Sequence, residues 1–178
     1  MRKKASKARL SYLILIFLVF VFIFGHFTVF DPDNTDIWWN LASGRYFMDD
    51  LSLPDTDPFS FSTQDGHWVI HEWFSQVILY VLQLLGGMPL LLFTKALLIT
   101  LSVFFVYLAT RRSYLYLFLS ILIIPLLFVH DQIRPHLFFY LLFSLTLFFL
   151  EKRRYYALIP IILLWANMHA SVIVGLFL

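Results

Sequence analysis

Four short stretches of this chain hold side chains able to do chemistry. "DPDNTDIWWNLASGR", residues 31–45, places Asp31, Asp33 and Asp36 ahead of a tryptophan pair and closes on Arg45. "HDQIRPH" brings His130, Asp131, Arg134 and His136 together, "HEW" holds His71 and Glu72, and "WANMHAS" sets Asn167 and His169 in an otherwise apolar run. A carboxylate can take the proton of an attacking hydroxyl, and a guanidinium can offset charge on a departing phosphate. Acids and cations gathered at one membrane surface therefore suit chemistry on a lipid-linked phosphate. Each stretch also has a plainer reading. Charged loop residues are often only solvated, tryptophans often form an interfacial belt, and Arg134 before Pro135, like Lys95, can snorkel toward headgroups. His67 and His71 stand four apart, but the turn signals between them keep His67 off the following helix and argue against zinc.

What must position these residues is set by composition. The 178 residues are 61% hydrophobic, 20% aromatic and 13% charged, with 21 Phe and no Cys; mean hydropathy is +0.81. Soluble domains average about 45–50% apolar and about 25% charged, so lipid has to solvate much of this chain. Runs such as "LILIFLVFVFIF" do not alternate as barrel strands do. An all-α polytopic membrane protein is expected. Without cysteine there is no disulfide framework and no thiolate chemistry.

Five segments read as spans: Leu10–Phe30, Leu90–Thr110, Tyr114–Val129, His136–Leu150 and Ala157–Leu178. The third and fourth are short, so tilt or a bend near Pro125 is expected. The first follows the basic residues 1–9, but it is too long for a signal-peptide core and lacks a cleavage site, so it reads as an uncleaved anchor. Ten of the thirteen Lys and Arg fall at the N-terminus, at Arg111–Arg112 and at Lys152–Arg154. These patches alternate correctly with five spans if all three are cytoplasmic. Nine of the eleven acids lie between Asp31 and Glu72, which puts the first long loop outside the cytoplasm. Only Arg45, Lys95 and Arg134 escape the basic patches. Such out-of-place cations call for anionic partners.

That loop, residues 31–89, is longer than a connector needs to be. "DIWWNLASGRYFMDD" predicts an interfacial helix capped by Asn34 or Thr35. "HEWFSQVILYVLQLL" predicts a second helix, too short to span comfortably and ended by Gly86–Gly87. Residues 90–178 carry the remaining four spans. The last residue lies inside an apolar run, which suggests an N-terminal portion of a longer membrane protein.

The loop "DIWWNLASGRYFMDDLSLPDTDPFSFSTQDGHWVIHEWFSQVILYVLQLLGG" resembles the first extracytoplasmic loop of prokaryotic membrane glycosyltransferases of the C superfamily, related to the dolichyl-phosphate-mannose and arabinose transferases. The shared pattern runs Asp-x-Trp-Trp-His-Leu-x-x-Gly-Arg, Pro-x-x-Asp-Pro-Phe-Ser, then Trp-x-x-His-Glu-Trp. Arg134–Pro135 and "WANMHAS" match later positions. Asn40 departs from the pattern's histidine. "DIWWN" is also similar to the Asp-Pro-Trp-Phe-Asn stretch of oligosaccharyltransferase catalytic subunits. The resemblance implies a multi-helix membrane fold, polyprenyl-phosphate sugars as donors, and a loop acid acting as base or ligand of a divalent cation. On that match Asp36 leads as the catalytic residue, ahead of Asp33 and Asp31. Arg134, His130, His136, Arg45, His71, Glu72 and His169 become the substrate-binding candidates.

Three functions follow as expectations. The first is inverting transfer of a sugar from a polyprenyl phosphate at the outer face of a prokaryotic plasma membrane. The second is a non-catalytic membrane protein that binds a lipid or protein partner through its first loop. The third, a transporter, is disfavoured because no paired broken helices are evident. Nothing in the sequence points to nucleic acid.

Overall fold

The computed structural model describes residues 2–28, 35–59, 67–110 and 132–178. These are all-helical: α1 (Arg2–Phe27), α2 (Asp36–Asp50), α3 (Trp73–Ala109), α4 (His136–Glu151), a 3₁₀ turn (Tyr155–Ala157), α5 (Leu158–Met168) and α6 (Val172–Leu176). The described residues form no strand beyond an isolated bridge between Thr56 and His67.

Among the described residues, one helix is long and apolar enough to cross a membrane, α3. The five-span expectation is thus met only in part. Tyr114–Val129 lies outside the described residues, and α4 has 16 residues, about 24 Å at the usual rise per residue. The run expected to be one span over Ala157–Leu178 is interrupted instead. α5 stops at Met168, and His169 is extended (φ −164°, ψ 139°). α6 then folds back, so close that a Cβ on Gly175 would sit 2.5 Å from the Trp165 ring.

The break foreseen at Gly86–Gly87 is present inside α3. Gly87 has φ 62° and ψ −158°, a region open essentially to glycine alone, and Pro89 follows. α3 is therefore two rods, one ahead of Gly87 that buries Ser75 and Gln76 and an apolar one beyond it.

The core is built around α3, against which α1, α2, α4 and α5 each pack. Val19, Ile23 and Phe27, spaced four apart, form the buried stripe of α1. Edge-on ring pairs join it to α3, Phe20 to Phe104 and Phe24 to Phe93. Phe105 meets Phe148 of α4, and Trp165 of α5, fully buried, lies against Phe139. The opposite face of α1 exposes Phe17, Leu18, Val21 and Phe22.

α2 shows how the loop is fastened. Ile37, Asn40, Leu41 and Gly44 recur at helical spacing and are buried, while Trp38 and Trp39 point outward. A Cβ on Gly44 would lie 2.2 Å from the Gln76 carbonyl oxygen, so α2 and α3 touch backbone to backbone. Thr35 stands at the N-cap but makes no side-chain capping bond, and Asn34 falls outside the described residues. At the other end Leu51 takes the left-handed conformation (φ 50°) and donates its N–H to Phe47 O at 2.8 Å.

Candidate active site

The starts of α2, α3 and α4 converge with the α5–α6 turn around one cavity of about 460 Å³. Asp36 and Trp39 come from α2, Glu72 caps α3, Arg134 and His136 open α4, and His169 and Ser171 form the turn. Helix N-termini carry partial positive charge. Residues at three of them line this cavity.

Asp36 and Arg134, far apart in sequence, form an ion pair at this cavity between the carboxylate Oδ2 and a terminal guanidinium nitrogen. The Nε of Arg134 is buried with no hydrogen-bond partner. Its donors are thus not exhausted by Asp36.

Beneath Asp36, buried amides tie α2 to α3. Asn40 donates from Nδ2 to Asp36 O at 2.8 Å, and Gln76 donates from Nε2 to Asn40 Oδ1 at 3.2 Å. The position where the resembled pattern has histidine is therefore a structural amide here.

A second polar network faces the same cavity. His169 Nε2 lies 3.2 Å from Glu72 Oε1. The Ser171 N–H donates to His169 Nδ1 at 3.1 Å, and the Ser171 hydroxyl stands 2.7 Å from that nitrogen. An N–H aimed at Nδ1 leaves that atom unprotonated in the neutral ring, so the proton sits on Nε2 and points at the carboxylate. Trp165 donates from Nε1 to Ser171 Oγ at 3.0 Å. Buried Ser75 stands within hydrogen-bond distance of both Glu72 O and Met168 O, joining α3 to α5.

Asp36, Arg134, His136, Glu72 and His169 thus share one cavity, as the sequence motifs suggest. His136 stands edge-on to Tyr140, which also lines it. His71 lies in an adjoining cavity of about 220 Å³, which shares Trp39 and Glu72 with the first. Arg45 does not line either cavity; it pairs with Asp49 one turn along α2, on the exposed surface. Asp31, Asp33 and His130 lie outside the described residues. Ser171, Gln132, Tyr140 and the Asn40–Gln76 pair are the site residues that motif reading missed. "SQ" inside the apolar "WFSQVILY" was the available signal, since two polar residues facing a core need partners there.

Among the described residues, no group of three or more His, Cys, Asp and Glu is placed to hold a metal ion. The partner of Asp36 is itself a cation, a poor neighbour for a divalent ion.

Comparison of the chain with protein-family models, curated proteins and solved structures finds no match.

Proposed function

We propose that this chain is a polytopic membrane protein that transfers a sugar, with inversion, from a polyprenyl-phosphate donor to an acceptor at the extracytoplasmic face. Its N-terminus would lie in the cytoplasm of a prokaryotic cell. The observation that carries the reading is the Asp36–Arg134 pair at a cavity where three helices begin. The apolar rod of α3 and the exposed apolar face of α1 support lipid as the surrounding medium.

In this reading the donor phosphate enters beside Arg134 and meets its terminal guanidinium nitrogens, Nε being buried. Bidentate recognition of phosphate by arginine is strong and directional. The acceptor hydroxyl attacks the anomeric carbon, the carbon–oxygen bond to phosphate breaks, and the departing oxygen keeps the electron pair under the guanidinium. On the family resemblance alone, Asp36 would be the group that takes the acceptor's proton.

The test is transfer from a panel of polyprenyl-phosphate hexoses and pentoses by the chain in lipid vesicles. Asp36→Asn should impair transfer with folding intact, and Arg134→Ala should raise donor KM about 10–100-fold, the range for a lost charged hydrogen bond. Exposed Asp55→Ala serves as the control and should leave transfer unchanged. Full activity in Asp36→Asn would sink the assignment. Equal, small effects of Asp36→Ala and Asp55→Ala would point to the binding-protein alternative.

A further inference from the structure

Two carboxylates face the cavity, and their surroundings differ in kind. Asp36 presents an oxygen to a guanidinium, an acid held by a cation. Glu72 instead stands behind an imidazole whose other nitrogen meets a hydroxyl on the cavity wall. The second arrangement has the order of parts that moves a proton: hydroxyl, imidazole, carboxylate.

We propose that the proton acceptor of this cavity is the chain Ser171–His169–Glu72, and that Asp36 is a positioning residue that holds Arg134. The proposal rests on the transfer reading above and reassigns the base within it. The acceptor's O–H proton passes to Ser171 Oγ as that hydroxyl gives its own proton to His169 Nδ1. The imidazolium so formed keeps its Nε2–H against the Glu72 carboxylate, which offsets the new charge. The acceptor oxygen forms its bond to the anomeric carbon, and the bond to phosphate breaks toward Arg134. Charge therefore balances at both ends, a cation beside Glu72 and an anion beside Arg134.

Three observations carry this. The Ser171 backbone N–H fixes the tautomer with Nδ1 as the acceptor, a bond that gives way when Nδ1 takes the proton of the Ser171 hydroxyl. Trp165, fully buried, holds Ser171 Oγ by its indole N–H, which leaves the hydroxyl proton directed at the imidazole. Ser75 ties the Glu72 backbone to the end of α5, which keeps carboxylate and imidazole in register.

Two measurements on the full chain in lipid nanodiscs test it. ¹⁵N NMR of the His169 ring should show the Nε2–H tautomer; the Nδ1–H tautomer overturns the relay whatever the activity. In the transfer assay, Glu72→Gln should lower kcat about 10²–10⁴-fold, the usual span for a lost acid–base group, with donor KM little changed. Added imidazole should restore His169→Ala at least tenfold. Asp36→Ala should lose mainly donor KM and gain nothing from added formate. Rescue of Asp36→Ala by formate, with none of His169→Ala by imidazole, makes Asp36 the base and overturns the proposal. Should His169→Ala fail to fold, the kcat-against-KM split in Glu72→Gln decides; a donor-KM effect alone overturns the relay. No transfer by the intact chain from any donor, with the Nε2–H tautomer seen, refutes the transfer reading and the proton-acceptor role with it, leaving only the geometry.

Discussion

Asn40 shows how one side chain can be structural where a related pattern suggests otherwise. It is almost wholly buried, accepts from Gln76 and donates to the backbone of Asp36. Asn40→Leu keeps the volume but leaves the Gln76 amide unpaired. A buried donor without a partner costs about 1–3 kcal/mol, so thermal unfolding of the variant should come earlier by that measure. At this scale the sequence was informative about charge and poor about neutral polar groups. Asp36 and Arg134 were legible because an acid beside tryptophans and a cation outside the basic patches both demand partners. Ser171 carries no charge and occurs at any helix start, so its place against His169 depends on a turn that hydropathy does not reveal. Arg45 also demanded an anion and finds one within its own helix. Its charge was out of place for topology, yet Asp49 at i+4 satisfies it locally.

Helix boundaries were legible where glycine or proline set them. The start of α2 at Asp36, its burial stripe and the break at Gly87 all follow from residue type and spacing. The ending of α5 at Met168 does not, because "WANMHASVIVGLFL" has no proline and only one glycine, late in the run. Its break is held by contacts instead, the His169–Ser171 bonds and Gly175 against Trp165. Close contact also governs α2. A methyl at Gly44 would collide with the Gln76 carbonyl, and backbone cannot swing aside as a side chain can. Gly44→Ala should therefore cost about 1–3 kcal/mol, typical of overpacking, and should weaken transfer by separating Asp36 from the α3 end of the cavity. A melting curve run beside the transfer assay checks both effects.

For the whole molecule, composition alone argued for lipid as solvent, and α3 agrees in length and apolarity. The number of crossings was less legible. Hydropathy cannot distinguish an apolar run that spans from one that turns back on itself, as α5 and α6 do. Expressed in cells, the chain should stay with the membrane pellet through alkaline carbonate and leave it only in detergent; release by carbonate would contradict the integral assignment.

Gly87 has a mechanical consequence. Glu72, Ser75 and Gln76 sit on the rod before it, and the apolar stretch that suits a bilayer lies on the rod after it. The two rods join at a residue whose left-handed φ other amino acids adopt only with strain. Bilayers differ in thickness, and a long apolar rod answers by tilting. In a bilayer, such a tilt would have an elbow at which to be absorbed, so the end that carries Glu72 would keep its alignment while the apolar end leans.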